Sequence, residues 1–364
     1  MLGLYVHIPF CKSLCTYCDF PKRINTKNEI IEDYIYKLIN DIDSAIKKYH
    51  FDTIYIGGGT PNYLSTSLLE KILSHINPLK ADFIEFSIEI NYELLTEEMV
   101  KLFNEYKINR ISIGVQTFNS KIGKYINRIS NYEELKDKIN LLNRYNLPNI
   151  NLDFMFGLPF QKIKDVKEDL RLIKTLNIKH ISYYSLILED KSVLAHQIEN
   201  NLISLPNEDL VSSMYDLIIN TLKEDGFHHY EISNFAHNGY ESKHNMIYWN
   251  LDPYLGIGMS AASFINNLRI TNSKIINNYL IDDGIIKEEI SNNELKQEFL
   301  WLGLRMIDGV SIKKYNDKFN SSIFDDFDFK PLIDKGLIII DNDFIKFTRF
   351  GLEHGNYVFS YFVS

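Results

Sequence analysis

A chain of 364 residues, 45% hydrophobic and 24% charged, has enough apolar material for one large domain and a smaller one. Its formal net charge of −9, with no run of lysine and arginine among aromatics, argues against nucleic acid as a main partner, since phosphate binding needs the opposite balance. The start MLGLYVHIPF has no lysine or arginine, no window nears roughly 18 uninterrupted apolar residues, and the three cysteines form one odd-numbered cluster. A secretory signal, a transmembrane helix and a disulfide framework are therefore not expected, and a reducing, cytoplasmic location is.

Short apolar runs followed by turn residues recur along the first half: GLYVHI (3–8), TIYIGGG (53–59), FIEFSIEI (83–90), RISIGVQ (110–116), NINLDFMFGLP (149–159) and HISYYSL (180–186). Helical apolar spacing fills the gaps over 31–49, 68–76, 97–106, 132–145 and 166–176. Strands alternating with helices predict parallel βα units, because parallel pairing requires a long crossover. Six units suit an α/β fold that is either an open, partial barrel or a doubly wound sheet. Ligands then gather at the carboxyl ends of the strands.

After about residue 200 the pattern changes. A helix is expected over 208–225, then FHHYEISNFA and KHNMIYWNLDPYLGIGMSAASF, and a polar connection over 266–290. Helices over 293–306 and 311–319, a hairpin over 336–347 turning at Asp341-Asn342-Asp343, and a final helix from Gly351 suggest a smaller domain of winged-helix type. The expected division is 1–265, 266–290 and 291–364.

Cys11, Cys15 and Cys18 have the spacing C-x3-C-x2-C. Three readings compete. A structural zinc site wants four ligands, and the nearby His7 should lie on a strand. A catalytic thiol explains one cysteine of three. An iron–sulfur cluster explains them all, and a cubane held by three thiolates leaves one iron open.

With Tyr17 before the third cysteine, this segment resembles the radical S-adenosylmethionine superfamily. There the methionyl amine and carboxylate of S-adenosylmethionine occupy the open iron of a [4Fe-4S] cluster. The resemblance implies that one electron from the cluster cleaves a C–S bond of the sulfonium, the protein orienting the cofactor and excluding water.

The same resemblance gives roles to residues at the strand ends. Gly57-Gly58-Gly59-Thr60-Pro61 is similar to the family element that receives the methionyl ammonium, although a tight strand-to-helix turn reads equally well. Glu89 on an apolar strand needs a partner, in an ion pair or on the cosubstrate. Gln116 offers a donor and an acceptor. Arg128 could fork onto the methionyl carboxylate or lie on the surface. Asp153 is a lone charge in an apolar strand, suited to ribose hydroxyls. Tyr5 and Tyr17 complete the implied S-adenosylmethionine set.

YVHIPFC, GGGTPNYL, SIEIN, RISIGVQTF, LDFMFGLPFQ, YEISNFA and HNMIYWN together resemble oxygen-independent coproporphyrinogen III oxidase and its haem-chaperone (HemW) branch, from residue 2 to about 265. FLWLGLR (299–305), DGV (308–310) and FTRFG (347–351) resemble the accessory domain of that family more loosely. The implied fold is a partial (β/α)6 radical-SAM barrel with a winged-helix-like α+β domain. Phe20 stands where the oxidase has a fourth cysteine, and only four residues precede Tyr5, where the oxidase carries a long extension. Both features match the chaperone branch. Tyr92 replaces a common proline, which affects a turn more than Glu89.

That branch carries an HN-x-x-YW motif implicated in haem binding, matched by His244, Asn245, Tyr248 and Trp249. The residues alone read equally as a core or interface cluster. His228 and His229 are reserve ligands, and a thiolate ligand is excluded while all three cysteines hold the cluster. The resemblance implies a chaperone that binds haem and delivers it to recipient haemoproteins, respiratory ones among them, with an electron donor as a further partner. It leaves open a homodimer and a peripheral membrane contact. The alternatives are coproporphyrinogen III oxidation by radical decarboxylation and a radical-SAM enzyme with another substrate.

Overall fold

A computed structural model describes residues 1–363. Six strands, β1 (Gly3–Ile8), β2 (Thr53–Gly58), β3 (Glu85–Ile90), β4 (Arg110–Gln116), β5 (Ile150–Phe156) and β6 (His180–Ser185), pair in parallel and in sequence order. Their near-continuous burial is what a sheet covered by helices requires. The connecting helices include Asn28–Lys48, Thr66–Ile76, Glu97–Glu105, Tyr132–Arg144 and Ile163–Lys174. The second begins two residues before its apolar spacing does, because Ser65 accepts a hydrogen bond from Leu68 N and starts the helix outside the apolar stripe.

After β6 the helix Glu208–Glu224 leads into the hairpin β7 (His228–Glu231) and β8 (Asn234–Ala236), with β8 antiparallel to β6. The helix Lys243–Trp249 follows. The chain then crosses to the other edge, where β9 (Tyr254–Ile257) runs parallel to β1 and is followed antiparallel by β10 (Ala262–Ile265) and β11 (Leu268–Thr271). The stretch 266–290 is thus more than a connection: β11, the helix Ile276–Leu280 and β12 (Ile286–Glu289) extend the sheet to twelve strands. β12 is exposed at every residue and lacks the alternation that marks a strand in sequence.

The result is an α/β fold, a partial (β/α)6 barrel whose sheet stays open between β12 and β7. Its core runs from Leu4 and Val6 through Ile56, Ile88, Ile113 and Phe154 to Ile181, sealed outside by Tyr34, Leu38 and Ile42 of the first helix. A separate core of Leu300, Leu304, Tyr315, Phe329, Leu337 and Ile345 holds the C-terminal domain. There β13 (Val310–Ser311), β14 (Ile338–Asp341) and β15 (Phe344–Phe347) form a small sheet in the order β13-β15-β14, beside the helices Asn292–Gly303 and Ile312–Phe319. The hairpin turns where expected, with Asn342 at φ 54°. The tail holds two short helices, Arg349–Glu353 and Gly355–Tyr361, where one was expected.

Candidate functional site

The cysteine loop is fastened at its base and on both flanks. Cys11 N donates to Arg23 O (2.9 Å) and Arg23 N to Pro9 O (2.6 Å), closing the loop directly beyond β1. Thr16 N donates to Ile126 O (3.1 Å), Asn127 Nδ2 to Leu14 O (2.7 Å) and Leu194 N to Thr16 O (2.9 Å). All three thiols are free, Cys11 buried and Cys15 and Cys18 half-buried. Burial pushes the Cys11 and Cys15 thiols up, opposed at Cys11 first by a hydrogen bond from Thr60 and at Cys15 first by the charge of Arg128. Tyr17 packs against Ile122, Ile126, Met155 and Leu158, which holds the loop down on its apolar side.

Among the described residues no three His, Cys, Asp or Glu side chains are gathered tightly enough to hold a single metal ion. A cubane makes a different demand, since each thiolate serves its own iron. Nor is His7 available as a fourth ligand. Tyr5 OH donates to His7 Nδ1 (2.9 Å), and Nε2 donates to Pro21 O (2.9 Å). Burial lowers the His7 pKa and keeps the ring neutral.

The end of β2 lies flat against this loop because it has no side chains to keep it away. Gly58 sits at φ +116°, and a Cβ there would stand 2.6 Å from the His7 ring. A Cβ on Gly59 would stand 2.9 Å from both Cys11 Sγ and Phe10 O. Gly59 N donates to Ile8 O (2.8 Å), Thr60 N to Phe10 O (2.9 Å), and Thr60 Oγ1 to Cys11 Sγ (3.7 Å).

Glu89 faces this turn and has hydrogen bonds in place of an ion pair. Tyr55 OH donates to Oε1 (2.7 Å) and Gly58 N to Oε2 (3.0 Å). Burial, reinforced by the charge of Asp153, lifts its pKa to about 7 against the opposing pull of those two donors. Asp153 accepts from Ser112 Oγ (2.9 Å) and Asn151 Nδ2 (2.8 Å), and burial lifts its pKa too. Two carboxyl groups that sense each other across the barrel, both still partly accessible, suit a ligand that brings donors or positive charge.

Gln116 occupies a bulge at the end of β4, with φ +71° and a register shift against β5, which re-aims the strand end. Arg128 is no surface arginine: its side chain is 11% exposed. Nη2 donates to Gly114 O (2.8 Å) and lies 3.5 Å from Glu93 Oε2. Its Nε is buried with no acceptor. A buried guanidinium with an unanswered N–H, close enough to Cys15 to lower its pKa, fits a carboxylate held beside the cysteines.

The haem-motif residues stand elsewhere, on the helix Lys243–Trp249 against the opposite, amino-terminal end of the strands. Glu85, the first residue of β3, accepts from Lys243 N (2.7 Å), His244 N (3.3 Å) and Ser242 Oγ (3.2 Å). His244 is 1% exposed, with Nδ1 bonded to Thr53 Oγ1 (2.8 Å) and Nε2 to Tyr248 OH (2.9 Å). Burial lowers its pKa to about 3. Tyr55 spans the two ends, its hydroxyl on Glu89 and its ring centroid 5.2 Å from that of His244. His229 stacks on Phe235 at 4.3 Å and bonds to Ile232 O, and His228 is exposed on the edge strand β7. Tyr55 and Glu85 were missed in the sequence, yet each left a trace: an inward tyrosine before the glycines, and a second glutamate in FIEFSIEI.

The radical SAM superfamily pattern matches residues 5–173, and the HemN C-terminal domain pattern residues 290–354. The chain is 38% identical to the haem chaperone HemW of Lactococcus lactis over 99% of its own length and 96% of that protein. It is 34% identical to the HemW of Bacillus subtilis over 100% of its length and 99% of the relative. The chain belongs to the HemW family of radical SAM proteins. To the HemW of Escherichia coli the identity is 34%, covering 71% of this chain and 69% of that one. Among solved structures, coproporphyrinogen III oxidase (HemN) of Escherichia coli superposes with a TM-score of 0.85 at 20% identity, over 99% of this chain and 89% of that chain, which shows a shared fold. For HemW-family members the radical SAM domain implies a [4Fe-4S] cluster and S-adenosylmethionine. The three clustered thiols, the glycine cradle and the orphaned Arg128 Nε fit that pair of cofactors. No helix among the described residues is long and apolar enough to cross a membrane.

Proposed function

We propose that this protein is a cytoplasmic haem chaperone that binds haem and passes it to recipient haemoproteins, respiratory ones among them. The observation that carries the reading is near-full-length similarity to haem chaperones of the HemW family, together with an intact three-thiol loop and Phe20 at the fourth position.

Cys11, Cys15 and Cys18 would hold the [4Fe-4S] cluster, and Tyr5, Tyr17, Gly58, Gly59, Thr60, Glu89, Gln116, Arg128 and Asp153 would surround S-adenosylmethionine. When bound and reduced, that pair supplies one-electron chemistry at a sulfonium, and an electron-donor partner is part of the proposal. The protein's own contribution is positional. Arg128 Nε offers a buried donor, and Glu89 and Asp153 offer acceptors whose pKa burial raises, with the charge of Asp153 adding to the rise at Glu89.

Haem is assigned to the helix bearing His244, Asn245, Tyr248 and Trp249. His244 can ligate iron only by giving up its bond to Thr53 or to Tyr248, each worth about 1 kcal/mol net. A neutral imidazole is the form that binds a metal, and the low pKa of His244 keeps it neutral.

The test is anaerobic reconstitution with iron and sulfide, followed on one preparation by haem titration and by an assay with coproporphyrinogen III and S-adenosylmethionine. Stoichiometric haem uptake without turnover, weakened in His244→Ala, is expected. Rapid decarboxylation of coproporphyrinogen III would overturn the chaperone reading in favour of the oxidase.

A further inference from the structure

Residues four apart on a helix share a face, and the haem-motif helix presents two unlike pairs. His244 and Tyr248 bond to each other, and His244 to the barrel. Asn245 and Trp249 do not. The Asn245 side chain makes no hydrogen bond among the described residues, and Trp249 Nε1 is a buried donor without an acceptor.

Over the Trp249 ring lies the guanidinium of Arg305, with Cζ 4.4 Å from the ring centroid. Arg305 comes from FLWLGLR, just beyond the helix Asn292–Gly303, and its backbone is fixed: its N donates to Leu302 O (3.1 Å) and its O accepts from Ile232 N (3.0 Å). Its side chain forms neither a hydrogen bond nor an ion pair among the described residues, and Nε is buried without an acceptor. Glu231 lies close enough for Arg305 to lower its pKa, yet its Oε1 serves Ser233 N and Asn234 and its Oε2 has no partner. Trp249 and Arg305 are each half-buried as residues, while the two donor nitrogens themselves are shielded and become open to a ligand only when the side chains shift.

Buried donors left unanswered are rare in folded proteins. Two of them, one on a guanidinium and one on the indole it stacks over, match an anionic acceptor with lone pairs on two oxygens. We propose that Arg305 and Trp249 form a carboxylate site that anchors a propionate of haem on the outer face of the helix Lys243–Trp249. This inference rests on the haem reading above and adds to it a residue from the C-terminal domain.

Haem and haem dimethyl ester, which lacks free carboxylates, are titrated in the same detergent micelles into the full chain, Arg305→Gln and Trp249→Phe. Arg305→Gln should weaken haem about 10- to 100-fold and change the ester less than about two-fold. Trp249→Phe keeps an aromatic face of smaller size, drops the N–H, and should weaken haem alone by about 3- to 10-fold. Unchanged haem affinity in Arg305→Gln, or equal weakening of haem and ester, would overturn the anchor and leave Arg305 as a packing partner of Glu231. If Arg305→Gln does not fold, Trp249→Phe decides by the same two criteria. A parent protein that takes up neither compound would bring down the haem reading itself, and the anchor with it.

Discussion

The two ends of the barrel are built on opposite principles. At the carboxyl end, polar groups are left partly unanswered: Arg128 Nε has no acceptor, and Glu89 and Asp153 keep accessible surface. At the amino end, the inner face of the motif helix is saturated, with Glu85 taking two backbone N–H groups and both His244 nitrogens bonded. An unanswered buried group is a cost that a ligand can relieve, whereas a saturated one holds elements together. The first end is therefore open to a ligand, as the proposed cofactor reading requires, and the inner face of the second is a fastening. At the second end, among the described residues, the face of the motif helix that carries Trp249, stacked under Arg305 of the C-terminal domain, retains spare donors.

Removing a cluster ligand should break this comparison most completely. Cys15→Ala is expected to abolish the iron–sulfur absorption after anaerobic reconstitution, read as iron falling from about four per chain to near none. Glu85→Ala strikes the other end. It leaves one buried and one half-buried backbone donor without an acceptor, so urea unfolding should show a loss of about 2–4 kcal/mol. It should also loosen haem and leave the response of the cluster to S-adenosylmethionine unchanged. Gly58→Ala forces a side chain into φ +116° against the His7 ring, at a cost of about 1–3 kcal/mol. Its functional effect should be the reverse of that for Glu85→Ala: S-adenosylmethionine binding falls and haem binding stays.

Smaller and more diagnostic is the pH response of the cofactor-free protein. Glu89 has a raised folded pKa of about 7, so it binds more protons folded than unfolded above its unfolded value near 4.3. Its contribution to stability is whole below that value and is lost as pH rises through about 7. His244 has a lowered folded pKa of about 3, against about 6.5 unfolded. Its contribution is whole above pH 6.5 and is lost as pH falls toward 3. Glu89→Gln should therefore flatten the loss of stability on the alkaline side of this window, and His244→Gln the loss on the acid side. Thermal unfolding of the two variants between pH 4 and 8 checks both signs.

Much of this was readable in the sequence, for reasons that vary by region. The six parallel strands were legible because burial on both faces leaves continuous apolar runs such as RISIGVQ and NLDFMFGLP. The cysteine loop stood out because the three cysteines of the chain fall within eight positions, whereas Arg128 read equally as a contact for the methionyl carboxylate or as a surface arginine, and its burial is visible only in the structure. β12 was not legible, since an exposed edge leaves no hydrophobic period to detect, and β11 is only four half-buried residues, too short to show one. Glu85, Tyr55 and Arg305 act through partners 34 to 159 positions away or through a stack between domains, and no local pattern records such contacts. For the same reason the saturation of His244 was invisible: the motif names the histidine, but Thr53, which occupies one of its nitrogens, lies 191 residues away.

The claim beneath all of this is that cluster and haem occupy opposite ends of one barrel and can be separated. Haem titration of the Cys15→Ala protein, prepared without iron and compared with the parent chain, tests it most directly. Stoichiometric haem uptake with an affinity within about three-fold of the parent is predicted. Loss of haem binding together with the cluster would contradict the account, because it would place both cofactors in a single site.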